Sequence, residues 1–467
     1  MTQPAAPAGS SRPTVAIVGG GASGTLAALQ LLRQAARPLQ VVLCDRGPRE
    51  SVGAAFSTRD PMHLLNVRAG AMSAFPDAPQ DFVAWLAEHR EPRESQVEAG
   101  QFVARRRYGA YLRDRLRQAA SGARPGVTLE VVRETVARVA PDPPRLELRS
   151  GRTMPVDRVV LALGNFHPRA LPLRGPAGTV RDDPWVPSAL EGLRPAGGVL
   201  LVGTGLTMVD AVVSLVATQA HTGPIYAVSR RGLLPRVHVE DGAPNESWSE
   251  VPLATTTRGL VRQVRARAEG AAAAQRDWRT VLDGLRPETQ QLWRGLPPAE
   301  RERFLRHVVP YWDTHRHRIA PQVGRILADA QASGQLRVWA GRVLGGEPVA
   351  DRGGLRVQIG LRRDGLVEVE VERVLNCTGP ATDYERVDEP LVADLLGSGQ
   401  ASADPQRLGF QTTAEGRLVA TDGSPSPVLF GLGPVRRAEL WETTAIPEIR
   451  AQAARLAEVL TAELGVR

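Results

Sequence analysis

The sequence predicts an α/β protein, and three stretches support that prediction. A β-branched run at Thr14–Val18 leads into a glycine-rich turn, an apolar helix and a second strand that ends at Asp45. A second run, Val199–Val202, leads in the same way into the turn Gly203–Met208 and a helix. Residues 236–333 are instead helical in pattern and rich in Arg and Ala. Because the strand–turn–helix unit occurs twice, we predict two Rossmann-like (three-layer β/β/α) dinucleotide-binding domains, the second carrying a helical insertion.

The first turn, Gly19–Gly24, fits the pattern G-x-G-x-x-G. In this pattern Gly19 makes the tight turn, Gly21 lets backbone N–H groups approach a pyrophosphate, and Gly24 lets the helix lie close to the sheet. The positive end of the helix favours the phosphate charge. Asp45 closes the next strand roughly 20 residues later and can accept hydrogen bonds from a ribose diol. A bare glycine-rich turn is the alternative to a dinucleotide site.

Composition excludes several kinds of protein. The longest apolar run falls short of the roughly 20 residues that a membrane span needs, so we expect no membrane partner. The first dozen residues lack the apolar core of a signal peptide, which favours a flexible lead-in and a cytoplasmic location. There are 58 basic residues against 50 acidic ones, and every basic one is arginine. These arginines are spread along the chain without a dense basic tail, so we expect no nucleic-acid partner.

The two cysteines, Cys44 and Cys377, are distant from each other in the sequence and each follows an apolar run. Such single cysteines give neither a C-x-x-C redox pair nor a zinc spacing. His315 and His317 are two residues apart, so they do not share a helix face. We therefore predict no metal site.

The stretch His63–Asp77 is apolar but interrupted by His, Asn and Arg, without a clean helical or strand period. It reads as a packed loop that lies on the bound cofactor. The alternative is a structural loop in which His63 and Asn66 only satisfy backbone groups.

The second turn contains Gly203, Thr204, Gly205 and Thr207, but Met208 occupies the third glycine position, so we expect its helix to lie farther from the sheet. The strand that follows ends in Ser229-Arg230-Arg231 instead of an acid. Two guanidinium groups at the ribose-reading position suit a 2′-phosphate, which predicts NADPH over NADH. The alternative is that both arginines are solvated surface charges.

These patterns divide the chain into three segments. We predict a first cofactor domain at residues 1–190, a nucleotide domain at 195–372 with its helical insertion at about 236–333, and a return to the first domain at 373–467. Within these segments we expect a strand over 127–139 and a final helix that begins near Pro447 and ends near residue 462.

Seven short motifs resemble those of one family. The chain is similar to bacterial FAD/NAD(P)-binding proteins related to class B flavin monooxygenases, the group that includes FAD-dependent urate hydroxylase and aspartate N-hydroxylase. The motifs are VGGGASG (18–24), HLLNVRAGAMSAFPD (63–77), RRYGAYL (106–112), GTGLTMVD (203–210), SRRGLLP (229–235), YWDTHRHR (311–318) and LWETTAIPEIR (440–450). This chain departs from the family in having Asp45 where Glu is usual, and Met208 at the third glycine.

The resemblance implies the cofactors FAD and NADPH and assigns residues to each. It implies that FAD is bound by Gly19, Gly20, Gly21, Ala22, Ser23, Gly24, Asp45, Arg46, Asn66, Val67, Met72, Val136, Gly164, Gly433, Trp441 and Pro447. It implies that NADPH is bound by Gly203, Thr204, Gly205, Thr207, Ser229, Arg230 and Arg231. Trp441 would flank the flavin ring, and the final helix would point its positive end at the pyrimidine side of the ring.

The implied activity is that of an FAD-dependent, NADPH-using monooxygenase. It would take O₂ and hydroxylate a small polar substrate, a urate-like purine or an amino group, through a C4a-peroxyflavin. His63, Asn66 and Arg68 are the candidate catalytic residues in this interpretation. Arg236, His238, Arg316 and Arg318 would suit an anionic or purine-like substrate. Two alternatives stay open: a flavin reductase or oxidase without oxygen insertion, and a non-catalytic flavin redox sensor.

Overall fold

A computed structural model describes residues 12–47, 52–91, 96–240, 244–249, 251–349, 353–363 and 365–467. Most of the predicted lead-in and part of the predicted loop after Asp45 lie outside these residues. The described residues form sixteen strands: β1 (Thr14–Val18), β2 (Leu39–Cys44), β3 (Val127–Val132), β4 (Val136–Pro141), β5 (Pro144–Leu148), β6 (Thr153–Pro155), β7 (Arg158–Leu161), β8 (Val180–Arg181), β9 (Val199–Val202), β10 (Ile225–Ser229), β11 (Leu336–Val349), β12 (Gly354–Leu361), β13 (Leu366–Val371), β14 (Arg373–Asn376), β15 (Arg417–Val419) and β16 (Pro425–Gly431).

Thirteen α-helices lie between these strands in the described residues. They are α1 (Ala22–Gln34), α2 (Asp81–Glu88), α3 (Arg105–Ser121), α4 (Leu206–Val213), α5 (Thr257–Ala273), α6 (Trp278–Leu285), α7 (Thr289–Gly295), α8 (Pro298–His307), α9 (Val309–Arg316), α10 (Pro321–Ala332), α11 (Pro390–Gly397), α12 (Arg437–Leu440) and α13 (Ile446–Glu463). A π-helical turn, Ser214–Thr218, extends α4.

The first sheet has the order β15-β16-β7-β1-β2-β3. All its pairs are parallel except β15 with β16. Alternate residues of β1 face opposite sides, since Ile17 packs in a core with α1, α3 and α13, whereas Ala16 packs in a core with β4, β5 and β6. These layers are a helix layer, a parallel sheet and a small antiparallel sheet. The predicted α/β fold class is therefore confirmed.

The second sheet has the order β13-β12-β11-β10-β9-β14-β8. Strand β9 again sorts its residues by side, with Leu201 facing α4 and α10 and Leu200 facing β12. Strand β14 pairs in parallel with β9, and β8 pairs with β14. The predicted boundaries at 190 and 372 therefore cut through this sheet, because β8 precedes the first boundary and β14 follows the second. Short edge strands of two to four residues carry too little pattern to be assigned to a sheet from sequence.

Two smaller expectations also change. The single strand predicted over 127–139 is two strands, β3 and β4, which belong to different sheets. Helix α4 begins at Leu206 and not at Val209 as expected, since the residue after Gly205 already has helical backbone. The final helix agrees with expectation, with a proline in its first turn and Glu448 following.

The predicted helical insertion is present as α5 to α9, followed by α10, which packs against α4. Tryptophans hold it together: Trp248 is buried and donates its indole N–H to the carbonyl oxygen of Val281. Trp293 donates in the same way to Ala438, which ties the insertion to the C-terminal segment. None of the helices in the described part of the chain is long and apolar enough to cross a membrane.

Candidate functional site

The first glycine turn has the close contacts that its pattern requires. Gly19 has φ of +110°, and a Cβ there would lie 2.3 Å from the carbonyl oxygen of Ala162 at the end of β7. At Gly24 a Cβ would lie 1.9 Å from the carbonyl oxygen of Gly19, so any side chain would push α1 off the turn. Both glycines are therefore needed for the fold itself.

Gly21 differs from these two because it faces open space. A Cβ there would come no closer than 3.7 Å to any protein atom, the nearest being in Gly53. Gly21 is the N-cap of α1, and no side chain caps this helix. The first N–H groups of a helix have no partner within the helix, so those of α1 are available to an anion in front of Gly21. This arrangement fits the pyrophosphate of a dinucleotide.

The predicted ribose acid stands beside this space. The carboxyl group of Asp45 lies within 2.6 Å of where a Cβ of Gly20 would be, so this glycine makes room for it. Asp45 accepts a hydrogen bond from the backbone N–H of Gly47 at 3.1 Å. A carboxylate at this position retains free lone pairs for a ribose diol.

The C-terminal segment completes the same edge of the sheet. Gly433 follows β16 with φ of +70°, and a Cβ there would lie 2.5 Å from the hydroxyl of Ser23 and 3.9 Å from Ile449 in α13. The N-terminal turns of α1 and α13 therefore meet at Gly433. Gly164, after β7, also has positive φ and open space around it. The predicted residues Ala22 and Pro447 belong to these first helical turns.

The loop that begins at His63 is fastened to the second domain. Both ring nitrogens of His63 have partners in the protein: Nδ1 lies 2.8 Å from the hydroxyl of Thr58, and Nε2 lies 2.9 Å from that of Ser214 and 3.1 Å from the carbonyl of Asp210. Arg68 donates to the backbone carbonyls of Gly100, Val239 and Glu240. These contacts favour a positioning role for both side chains, and their predicted catalytic role stays a prediction.

Asn66 presents a different picture within the same loop. Its backbone carbonyl accepts a hydrogen bond from Nε2 of His238 at 3.1 Å. Its half-buried side-chain amide has no hydrogen bond to the described residues. That amide is therefore free to meet a ligand. Met72 is buried in the helix-side core and Val67 packs against that core.

Three predicted FAD contacts lie elsewhere than expected. Val136 is buried in the core between the first sheet and the three-stranded sheet. Arg46 is engaged with Glu389 at 2.9 Å. Trp441 packs on the helical insertion, stacked on Trp293 with ring centroids 5.0 Å apart. Their roles as FAD contacts stay predictions, and their protein partners here could not be read from local sequence.

The second glycine turn repeats the geometry of the first. Gly203 has φ of +113°, and a Cβ there would lie 2.1 Å from the carbonyl oxygen of Cys377 at the end of β14. Gly205 is the N-cap of α4 without a side-chain hydrogen bond, and a Cβ there would have no protein atom within 4 Å. The buried hydroxyl of Thr204 contacts Ser229 at 2.8 Å and donates to the carbonyl of Leu233. Thr207 lies half-buried in the first turn of α4.

Beside this turn lies a cavity of about 510 Å³ with an unusual concentration of positive charge. Its lining includes five arginines from four parts of the chain: Arg230, Arg231, Arg306, Arg342 and Arg362. Sequence reasoning identified the first two only. Arg306 comes from α8 and the last two from the β11–β12 region, and nothing in their local sequences indicates that they converge.

The charged groups proposed for an anionic substrate are mostly occupied. Arg318 is buried and pairs with Asp283. Arg316 pairs with Glu442 at 3.3 Å. Burial would raise the pKa of Glu442, but the guanidinium of Arg316 and further cations hold that pKa below its usual value. Burial, with Arg318 nearby, lowers the pKa of His238 to about 3, so this ring is neutral near pH 7.

Both cysteines are buried thiols in different sheets. Cys44 ends β2 and Cys377 follows β14. Burial raises the pKa of Cys44 to about 12 and that of Cys377 still further. Neither is therefore a thiolate near pH 7. Within the described ranges, no three His, Cys, Asp or Glu side chains lie close enough to hold a metal ion.

Comparison with known proteins agrees with this geometry. A protein-family model described as FAD-NAD(P)-binding matches residues 16–166. No curated protein matches the chain. Among solved structures, an ornithine N-hydroxylase from Kutzneria sp. 744, described with FADred, NADP+ and L-orn, is 16% identical with a TM-score of 0.61, covering 97% of this chain and 100% of its own.

Two further solved structures define what this likeness means. An L-lysine 6-monooxygenase from Pseudomonas syringae is 15% identical with a TM-score of 0.62, covering 96% of this chain and 99% of its own. A thioredoxin reductase from T. acidophilum is 11% identical with a TM-score of 0.52, covering 96% and 97%. The resemblance to flavin monooxygenases is thus confirmed at the level of the fold, which a reductase shares.

Proposed function

We propose that this protein is an FAD- and NADPH-dependent monooxygenase. One observation supports the pair of cofactors above all: two open glycine turns, each in front of an uncapped helix, lie at the carboxyl edges of two separate sheets. In open α/β sheets this edge is where dinucleotides bind. Asp45 beside the first turn suits the FAD ribose, and the arginines beside the second suit the NADPH 2′-phosphate.

The chain's own residues divide the work as follows. The first turns of α1 and α13 meet at Gly433 and offer positive helix ends to the phosphates and to the ring system. Asn66 orients a polar group through its free amide. The insertion and the loop of His63 cover the site, because His63, Arg68 and His238 join that loop to the second domain. Bound FAD, once reduced by NADPH, would supply the redox chemistry that activates O₂.

A reductase is the second candidate, and the fold shared with thioredoxin reductase keeps it in view. Disulfide reduction needs a reactive cysteine pair. Here the only two cysteines of the chain, Cys44 and Cys377, are buried in different sheets with raised pKa values. Disulfide exchange is therefore disfavoured, while simple flavin reoxidation and a redox-sensor role remain for experiment to separate.

Substrate chemistry forms part of the proposal. The named solved relatives act on ornithine and lysine, so an amino group is one candidate acceptor of oxygen, and a urate-like purine is the other. A substrate ammonium group needs a carboxylate partner when buried. Three buried or half-buried carboxylates near the insertion are already paired: Asp283 with Arg318, Glu442 with Arg316 and Glu448 with Arg286. These pairings disfavour the amino group. The predicted cytoplasmic location belongs to the same proposal.

Stopped-flow absorbance tests the reaction. Protein loaded with FAD should be reduced by NADPH, and after mixing with O₂ it should pass through a transient that matches neither reduced nor oxidised flavin. Direct return to oxidised flavin with a full equivalent of H₂O₂ would identify an oxidase or reductase instead. Very slow reduction by NADPH would identify a sensor.

A further inference from the structure

The helical insertion encloses a second cavity, of about 720 Å³, between α5, α6, α7, α8 and α9. This volume is within the range of small-molecule sites. Five aromatic side chains contribute to its lining: Trp278, Trp293, Phe304, Trp312 and Trp441. Leu, Val and Ala side chains form most of the remainder. The wall therefore suits a flat apolar body.

The charges around this cavity have a single sign. Its described lining contains Arg236, Arg265 and Arg279 but neither aspartate nor glutamate. Arg279 is occupied by Asp277 and the carbonyl of Val237. Arg236 and Arg265 are exposed, and neither side chain has an ion pair within the described residues. Two guanidinium groups are thus available at an apolar cavity, and guanidinium is suited to bind a carboxylate in a bidentate manner.

Trp441 provides an independent sign of function. Its backbone has φ of +59° and ψ of −68°, and the N–H of Glu442 bonds to the carbonyl of Leu440 at 2.7 Å. This is a γ-turn centred on Trp441, a rare and strained conformation for a bulky residue. Stacking on Trp293 and edge contact with Phe304 hold the indole in place. Strain of this kind, held by packing, is concentrated at ligand sites.

The cavity is also continuous with the proposed flavin site. Trp441 lies directly before the turn into α13, whose first residues meet α1 at Gly433. On the other side, Arg236 is two residues from His238, which bonds to the carbonyl of Asn66. A ligand in the cavity therefore has the flavin-side loop at one end and exposed arginines at another.

We propose that this cavity binds the substrate, and that the substrate is an apolar aromatic molecule carrying one carboxylate or similar acidic group. This inference rests on the proposed monooxygenase function and narrows its substrate class. Aromatic rings of the ligand stack on the tryptophans, and its acidic group pairs with Arg236 and Arg265. A cationic amine of the same size would meet like charge and no carboxylate.

Calorimetric titration of the FAD-loaded, full-length protein tests the assignment without turnover. Three probes share one ring: indole-3-propionate, its amide indole-3-propanamide, and the amine tryptamine. We expect indole-3-propionate to bind at least about tenfold more tightly than the other two, as the loss of one charge-assisted contact predicts. Equal or tighter binding of tryptamine would overturn the assignment.

Two variants locate the binding. Ala268→Phe places a ring inside the cavity and should abolish binding of indole-3-propionate. The double variant Arg236→Gln/Arg265→Gln should remove the preference for the acid over the amide while leaving amide binding unchanged. Arg262→Gln, on the same helix but outside the cavity lining, is the matched control and should behave as wild type. Flavin content and melting temperature show whether each variant is folded.

The outcomes also separate this inference from the function beneath it. Undiminished binding to folded Ala268→Phe would place the probe elsewhere and overturn the cavity assignment, whatever the NADPH kinetics. Normal NADPH oxidation and an oxygen-dependent transient, without preference for the acid, would overturn the ligand class alone. Acid-selective binding without any NADPH-dependent flavin reduction would leave the cavity assignment standing and contradict the monooxygenase.

Discussion

Glycines of the first turn separate into two classes at the scale of single residues. Gly19 and Gly24 lack room for a side chain because of protein atoms, whereas Gly21 has room that only a ligand would fill. This difference allows cofactor binding to be tested apart from folding.

Gly21→Val should therefore fold and lose FAD. Its side chain occupies the space in front of α1 without meeting the protein, since the nearest atom to a Cβ is 3.7 Å away. Flavin absorbance after purification measures the loss, and circular dichroism checks the fold. Gly24→Val is the matched control and should be largely unfolded, because its side chain meets Gly19. Full flavin content in Gly21→Val would contradict the FAD site.

Asn66→Ala should uncouple NADPH use from hydroxylation. The FAD contacts at Gly19–Gly24 and Asp45 are unchanged, so flavin reduction should persist. Loss of the free amide removes a donor and an acceptor beside the reacting groups, so more H₂O₂ should form per NADPH consumed. The ratio is measured at equal FAD occupancy. An unchanged ratio with a lower melting temperature would show that Asn66 only fastens the loop.

His238 should make stability depend on pH in a defined direction. Burial, followed by Arg318, lowers its pKa to about 3 in the folded protein, against roughly 6.5 in an unfolded chain. A group with a lowered folded pKa and a neutral base form takes up its proton preferentially when unfolded. Its contribution is therefore complete above pH 6.5 and is lost as the pH falls from 6.5 toward 3.

His238→Gln should flatten this dependence. Glutamine can still donate to the carbonyl of Asn66 but does not titrate. Between pH 6.5 and 5 the variant should lose about 1–2 kcal/mol less unfolding free energy than wild type, measured by urea denaturation. Parallel curves for the two proteins over this interval would show that His238 is protonated in the folded state.

At the scale of elements, the end of β10 and the start of α4 act together. Ser229 contacts Thr204 of the glycine turn, and Arg230 and Arg231 enter the arginine-lined cavity beside it. Arg231 also donates to the hydroxyl of Tyr311 in α9 at 3.1 Å, whereas Arg230 is exposed. One strand end thus brings a glycine turn and two cations to the same place.

The variant Arg230→Ala/Arg231→Ala should lose its preference for NADPH over NADH by about tenfold or more, chiefly through KM for NADPH. The reason is the loss of charge-assisted contacts to the 2′-phosphate. Steady-state oxidation of both nucleotides measures the effect. Arg337→Ala, an exposed change in the adjacent strand β11, should leave the preference intact. If the double variant keeps its preference, Arg306, Arg342 and Arg362 become the candidates for reading the phosphate.

At the scale of the whole molecule, a buried ion pair joins the two domains. Arg105 of α3 donates to both carboxylate oxygens of Asp210 in α4, at 2.6 and 3.0 Å. The side chains are only 11% and 9% exposed. The same helix receives His63 through Ser214 and Asp210, so two contacts of opposite chemistry fix α4 against the first domain.

Arg105→Met should destabilise the protein by about 3–5 kcal/mol, because Asp210 is left buried and unpaired. The double variant Arg105→Met/Asp210→Leu should recover most of that loss, since it removes the unpaired charge. Chemical denaturation followed by tryptophan fluorescence measures both. A single variant as stable as wild type would mean that water reaches Asp210 and the domains are less tightly joined than the contacts indicate.

Sequence by itself determined the features that depend on the local backbone. The strands at Thr14–Val18 and Leu39–Cys44, both glycine turns and the final helix agree with expectation to within a few residues. A tight turn with positive φ accepts glycine and little else, and a buried parallel strand needs an unbroken apolar run. Such requirements appear in the chain at the place where they act.

Only the tertiary structure decided which distant segments meet. It paired β16 with β7, placed β8 and β14 in the second sheet, brought five arginines to one cavity and turned Trp441 toward Trp293. It also occupied Arg316, Arg318 and His63 with protein partners that the sequence had left open to a ligand. The physical reason is that a side chain's partner depends on the packing of segments remote in sequence, whereas its type shows only what it is able to bind.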